Sequence, residues 1–299
     1  MELVSGIITT HNRTVSILRR AIDSILNQTY PNIEIIVVDD STDDFSERGA
    51  IEEMVLSLAD KNVRYIKQKC AGACAARNNG LSASNGEIVG FLDDDDEWLP
   101  EKVEKMLPLF KNPDVALVHS AWILKRDDTG ELIDKYPEFH HENVYDVLMH
   151  GNNYIGSTSF PLLRKSALLD IGGFDVLQPS AQDLDVWLRL SKKYKVDFVK
   201  EPLSLYHYHL EEKITGNHTK RINGWKRIIE KNMDYLKAHP EAYYNKMYRL
   251  AIVYGKNSEL CSALGLWVKC CVKRPLKVKS NVSMFFEILG EKVKSKREK

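Results

Sequence analysis

Through the first hundred residues, short apolar segments alternate with segments of helical period at a pitch that requires right-handed βαβ crossovers and a parallel sheet. Leu3 to Thr9 reads as a strand, and Ile17, Leu18, Ala21, Ile22, Ile25 and Leu26 fall on one face of a helix that Tyr30-Pro31-Asn32 ends. Ile33 to Val38, apolar except for Glu34, suits a central strand buried on both faces. A helix over about 47–58, a strand over 63–67, a helix over about 73–82 and a strand over 87–92 follow. Beyond Trp98 the pattern is less regular. Val115 to Lys125 reads as a strand, Asp127-Asp128-Thr129-Gly130 as a hairpin turn and Glu131 to Lys135 as its return. Arg164 to Leu169 reads as a helix stopped by Gly172-Gly173. Gln182 to Lys193 reads as a helix with Trp187, Leu188 and Leu190 facing a core, and after His209 the chain becomes helical and basic, with a break at Pro275.

Polar residues collect where the strands end: Thr9, Thr10 and Asn12 after the first, Asp39 and Asp40 after the second, Asp93 to Asp96 after the fourth. In an open α/β sheet, ligands bind outside the carboxyl ends of the strands. Four successive aspartates repel one another, and a bound divalent cation removes the conflict. Mg²⁺ and Mn²⁺ prefer such hard oxygen ligands and are commonly held by one or two carboxylates plus substrate phosphates. The competing reading is an acidic first turn for a helix begun by Pro100, with Asp96 and Glu97 serving its dipole.

The 42 basic and 42 acidic residues cancel, which at first argues against a nucleic-acid or membrane-surface partner. They are not evenly spread. Residues 220–299 hold 19 Lys/Arg and 7 Asp/Glu, leaving 23 and 35 in residues 1–219, so an acidic body carries a basic tail. No segment reaches the roughly 18 apolar residues of a membrane helix, the longest candidate, Leu260 to Val272, being broken by Lys269. The first ten residues lack the basic start and apolar core of a secretory signal. Cys70, Cys74, Cys261, Cys270 and Cys271 are odd in number without paired metal spacing, which fits reduced thiols in a cytoplasm.

The runs Thr9-Thr10-His11-Asn12-Arg13, Val37-Val38-Asp39-Asp40-Ser41, Ala76-Arg77-Asn78-Asn79-Gly80 and Phe91 to Pro100 with its Asp93-Asp94-Asp95-Asp96 resemble the signatures of family 2 glycosyltransferases of the GT-A fold. Gly172-Gly173-Phe174-Asp175 and Gln182-Asp183-Leu184-Asp185-Val186-Trp187 continue the likeness over about residues 3 to 215. The resemblance implies an α/β, Rossmann-like, mostly parallel sheet flanked by helices. It divides the chain into a nucleotide-sugar-binding and catalytic domain, residues 1–219, and a basic helical C-terminal extension, residues 220–299. It also implies inverting transfer of a hexose-type sugar from a UDP-sugar to an acceptor hydroxyl, on a lipid-linked glycan for surface polysaccharide or glycoprotein.

Carried over residue by residue, Thr9, Thr10 and Asn12 grip the nucleotide, and Asp39 accepts a hydrogen bond from the uracil imide. Arg77 lies near the diphosphate. Asp93-x-Asp95 corresponds to the DxD motif, with Asp95 as direct ligand of Mn²⁺ or Mg²⁺, Asp93 at the ribose or a metal-bound water, and Asp94 an added carboxylate. Asp183 takes the place of the general base, with Asp185 as runner-up; Gln182 departs from the usual Glu. His209, ahead of His207, approaches the metal or diphosphate, and Asn153 with Gly156-Ser157-Thr158-Ser159 lines the acceptor groove. Two other functions stay open: a metal-dependent nucleotidyltransferase, and a non-catalytic nucleotide-sugar-binding module. For residues 260–299, peripheral contact with an anionic membrane on its inner, cytoplasmic face stands beside a helical appendage packed on the core. No nucleic-acid partner is expected.

Overall fold

A computed structural model describes residues 1–208, 218–257 and 259–297, and their side chains except at 278 and 289–297. The strands are β1 (Val4–Thr10), β2 (Ile33–Asp39), β3 (Val63–Lys67), β4 (Ile88–Asp93), β5 (Glu97–Trp98), β6 (Val115–Arg126), β7 (Leu132–Lys135), β8 (Leu162–Arg164) and β9 (Lys195–Tyr208). The helices are α1 (Val15–Leu26), α2 (Arg48–Leu56), α3 (Ala73–Ala83), α4 (Lys102–Met106), α5 (Val144–His150), α6 (Lys165–Asp170), α7 (Gln182–Ser191), α8 (His218–Lys231), α9 (Met233–Ala238), α10 (Pro240–Lys256), α11 (Leu260–Lys273) and α12 (Val278–Arg297). They form two compact units: Met1–Tyr145 with Asn153–Val176 and Asp183–Glu211, and Asp146–Asn152 with Leu177–Gln182 and Glu212–Lys299.

In the first unit one sheet runs β3-β2-β1-β4-β8-β6-β9-β5, with β7 added to β6. The long pairings, β1 with β2 and β4, β2 with β3, and β6 with β9, are parallel; the antiparallel ones are short. The expected α/β, mostly parallel sheet flanked by helices is therefore present. Ile7, Ile8, Ile35 to Val38 and Ile88 to Leu92 alternate sides of the sheet and are buried, apart from Gly90 lacking a side chain, because helices cover both faces. Leu18, Ala21, Ile22 and Ile25 form the buried stripe of α1 read from its period, whereas Ile17 stays partly exposed. Glu34, buried at the start of β2, accepts hydrogen bonds from Ser5 Oγ (2.6 Å), Arg64 (2.9 Å) and Asn85 N (2.6 Å), so the charge that interrupts the run is satisfied. Gly172 and Gly173, at φ 81° and 68°, end α6 in the left-handed region as the sequence requires.

The helix begun by Pro100 takes a different form. Glu97 and Trp98 form β5, antiparallel to Leu205 and Ser204 of β9, and α4 starts only at Lys102. Asp96 and Glu97 thus lie outside any first helical turn. The second unit is helical around α10, whose Tyr244, Met247, Leu250, Ala251 and Tyr254 are buried. Its buried Lys246 donates to the carbonyls of Leu148 (2.6 Å) and Gly151 (3.1 Å), and burial pushes its pKa down to about 8. Pro275 separates α11 from α12 as expected. Among the described residues no helix is long and apolar enough to cross a membrane.

Candidate active site

Parallel register brings the polar strand ends together. β1 sits between β2 and β4 so that Thr10 neighbours Asp39 and Thr9 neighbours Asp93. Past β1, Asn12 adopts φ 51°; its N–H donates to Ser41 Oγ (3.0 Å) and its Oδ1 accepts from Thr42 N (3.0 Å), locking the loop after β1 to the loop after β2.

Asp39 has no exposed surface. Its Oδ1 accepts from Ser41 N (2.8 Å), and its Oδ2 from Tyr65 Oη (2.6 Å) and Arg48 Nε (3.2 Å). Burial alone would raise its pKa, but these hydrogen bonds and the Arg48 charge hold it below the usual carboxylate range. Asp40 is equally engaged, by Gln68 Nε2 (2.6 Å), Ala71 N (2.7 Å) and Gly72 N (2.8 Å). His11 Nδ1 lies 2.8 Å from the Asp40 carbonyl and 3.9 Å from Cys70 Sγ, so His11, Asp40 and Cys70 meet at the edge of the loops. Cys74, by contrast, is buried on α3.

The four aspartates after β4 diverge. Asp93 Oδ1 accepts from Arg77 (2.8 Å) and Thr158 Oγ1 (3.3 Å), and its Oδ2 from Ser157 Oγ (3.2 Å). Arg13 spans the next two, its Nε 3.0 Å from Asp94 Oδ1 and a terminal nitrogen 2.8 Å from Asp95 Oδ2. Burial pushes the Asp94 carboxyl up to about 6 despite Arg13. Asp96 is fully buried and accepts from His207 N (3.2 Å); burial, with Asp93 and Asp95 nearby, raises its pKa well above the usual range. Glu97 lies 2.8 Å from His207 Nε2, whose other ring nitrogen is 2.8 Å from Asp127.

Asp183, in the first turn of α7, faces the same region. Its Oδ1 accepts from Leu184 N (2.8 Å) and its Oδ2 from Asn153 Nδ2 (2.8 Å). Asn153 also bonds both ways with Gly156, held at φ 84°, which fixes the loop carrying Ser157 and Thr158 onto Asp93. Burial pushes the Asp183 pKa up to about 6 against the pull of the Leu184 N–H and the Arg77 charge. Asp185 is instead buried in a pair with Arg189, at 2.8 Å, on the far side of the helix turn.

Thr9, Thr10, Arg77, Asp93, Asp94, Asp95, Asn153, Ser157, Thr158 and Asp183 are thus gathered around three strand ends, while Asp39 lies sealed beneath them. His209 lies outside the described residues. His207, the lesser histidine in the sequence, is a buried link between Glu97 and Asp127. The reading from sequence gave no role to Arg13, Arg48 or Tyr65, because ion pairs across strand ends follow no local period; only the position of Arg13 inside the first motif marked it. Among the described residues no three of the four aspartates converge on one point. Asp94 and Asp95 both pair with the Arg13 guanidinium, and two hard oxygen donors so placed suit a divalent ion that draws its other ligands from substrate phosphates.

The profile of the family described as Glycosyl transferase family 2 matches residues 5–172. The putative colanic acid biosynthesis glycosyl transferase WcaA of Escherichia coli K12 is 31% identical, over 78% of this chain and 82% of that protein. An uncharacterized glycosyltransferase of Rickettsia bellii is also 31% identical, over 77% of this chain but only 34% of that protein, so the chain spans about a third of that relative's length. Among solved structures, S. aureus TarS 1-349 in complex with UDP-GlcNAc superposes with a TM-score of 0.66 at 14% identity, covering 98% of this chain and 89% of that one. At that identity the likeness is one of fold.

Proposed function

The chain belongs to glycosyl transferase family 2, and on that premise we propose that it moves a hexose-type sugar from a UDP-sugar to an acceptor hydroxyl with inversion. The observation that carries this reading is Asp183: a carboxylate with its pKa pushed up to about 6, oriented by Asn153 and facing Arg77 and Asp93. A base of that strength is ionised at neutral pH yet basic enough to take a proton. Asp183 accepts the proton of the attacking hydroxyl while that oxygen bonds to the anomeric carbon, and the bond to UDP breaks on the opposite side.

Thr9, Thr10 and Asn12 contact the nucleotide, and Arg77 offsets charge on the diphosphate from its buried position behind Asp93. Asp39 already accepts three hydrogen bonds and has no exposed surface, so its contact with the uracil imide requires the groups that enclose it to give way. Asp95 would hold Mn²⁺ or Mg²⁺ directly with Asp94 beside it, and Asp93 would meet the ribose or a metal-bound water. When bound, that cation supplies Lewis-acid stabilisation of the leaving diphosphate. The UDP-GlcNAc held by TarS supports a UDP-sugar donor. The name of the WcaA relative supports a glycan acceptor for surface polysaccharide, lipid-linked in this proposal.

Purified protein with Mn²⁺ is incubated with UDP-, GDP- and dTDP-sugars, and nucleotide release is measured for the parent and for Asp183→Asn. The expected result is release from a UDP-sugar only, lost in the variant while UDP binding persists. Preference for GDP overturns the role of Asp39, and full turnover by Asp183→Asn overturns the base.

A further inference from the structure

The second unit carries a helical hairpin, α11 and α12, whose inner side is fully used. Ala263, Cys270, Met284 and Ile288 are buried. Asn281 ties the parts together: its Oδ1 accepts from Tyr244 Oη (2.8 Å), its Nδ2 donates to the Arg274 carbonyl (3.1 Å), and its own carbonyl accepts from Trp267 Nε1 (2.8 Å). The apolar residues left outside therefore have no inner position to occupy.

Those residues are regularly placed. Val268 and Val272 on α11, and Val282 and Phe286 on α12, recur at four-residue spacing and are 49%, 75%, 47% and 66% exposed; Leu276, in the turn between the two helices, is 95% exposed. Among the described residues, five of the twelve exposed large apolar ones fall within nineteen positions, too dense to be the scatter of single exposed side chains that any protein shows. Lys269, Lys273, Lys277 and Lys279 are exposed among them. Glu241 pairs with Arg274 (3.0 Å) and Lys277 (3.1 Å), and no ion pair engages Lys269 or Lys279 among the described residues.

We propose that the outer face of the α11–α12 hairpin docks on an anionic bilayer, with its apolar residues in the headgroup boundary and its lysines on the lipid phosphates. Interleaved basic and apolar residues on helices too polar to span a membrane are the composition of an interfacial segment. A second copy of this face would oppose lysine to lysine, so charge favours the bilayer as its occupant. The inference goes beyond the transfer reading and uses none of its residues.

The full chain is mixed with sucrose-loaded vesicles of phosphatidylcholine, with and without 30% phosphatidylglycerol, at about 0.1 M salt, and the bound fraction is measured by sedimentation. Parent protein is expected on the anionic vesicles alone. Leu276→Glu with Phe286→Glu, and separately Lys269→Glu with Lys279→Glu, are each expected to weaken binding about ten-fold or more. All four side chains are exposed, and donor hydrolysis and the thermal midpoint of each variant check that the fold persists. Equal binding by parent and either variant overturns the proposal. So does a parent dimer that Leu276→Glu with Phe286→Glu dissociates while vesicle binding stays unchanged.

Discussion

Two acidic clusters end strands on either side of β1 in the same sheet, and they are held in opposite ways. Asp39 and Asp40, after β2, are enclosed by backbone N–H groups, Tyr65, Gln68 and the buried Arg48. Asp93 to Asp95, after β4, are held by side chains from other elements: Arg77, Ser157, Thr158 and the partly exposed Arg13. The first arrangement holds a carboxylate below its ordinary pKa, and the second leaves Asp94 pushed up to about 6. A carboxylate with both oxygens already held, as in Asp39 and Asp40, braces the loop after β2. One balanced by a single partly exposed guanidinium can exchange that partner for a ligand.

Asp183, on α7, carries the strongest consequence, since burial pushes its carboxyl up to about 6 as it does that of Asp94. Asp183→Asn is expected to lower the transfer rate by about two to four orders of magnitude. Because burial disfavours its charge, the same change should leave the thermal midpoint unchanged or slightly raised. Wild-type activity should fall as pH drops through about 6, when Asp183 takes up its proton, with the slope of one group. Rates and melting measured on the same preparation decide it: a large loss of stability would move Asp183 into the company of Asp39.

The converse holds after β2. Asp39→Asn removes the carboxylate beside Arg48, which is 5% exposed and is left with carbonyl partners, the Tyr65 hydroxyl and the exposed Asp43. Breaking a buried pair from one side should cost about 3 kcal/mol, or roughly 6–12 °C in the midpoint of the unit that contains it. A variant that melts like the parent would show that the enclosure of Asp39 does not stabilise the fold.

How much of this was legible depends on the range of each interaction. The alternation of β1 to β4 with α1 to α3 was readable because burial on both faces of a parallel sheet leaves local apolar runs. The aspartates after β4 announced themselves by repulsion, and the gathering of Arg77, Asp93 and Asp183 came with the order of the motifs. Which carboxylate is sealed and which is open was not legible. That depends on Arg48 nine residues after Asp39, on Tyr65 of the adjoining strand β3, and on Arg13 reaching across from the loop after β1. Asp96 and Glu97 offer themselves as an acidic first helical turn because the strand partner of Glu97, Leu205, lies over a hundred residues away.

Protons separate the clusters more finely. Asp94 has its folded pKa raised above the unfolded value, so the folded state binds the extra proton and stability falls as pH rises from about 4 to about 6. The loss is about 2–3 kcal/mol at pH 7 without divalent cation. Asp94→Asn should remove it and melt no lower than the parent at neutral pH, since Arg13 keeps Asp95. Asp39 has the opposite sign: its contribution is present above its unfolded pKa and lost only as pH falls through its depressed folded value. Denaturant titrations between pH 4 and pH 7 in EDTA would contradict the distinction if Asp94→Asn kept the parent's slope.

The smallest effect tests whether Arg13 and a divalent ion contend for the same oxygens. Its guanidinium takes Asp94 Oδ1 and Asp95 Oδ2, with 24% of the side chain exposed, so the pair is worth at most about 1 kcal/mol. A cation that uses Asp95 must first displace that bond. Arg13→Ala removes the competitor, and Mn²⁺ bound in the absence of nucleotide, followed by electron paramagnetic resonance, should tighten about three- to five-fold. Were Arg13 to support the cation, for example by orienting Asp95 toward it, the same substitution would weaken Mn²⁺ binding. The sign of that small change therefore decides whether the cluster after β4 is held for exchange or fixed in place like the cluster after β2.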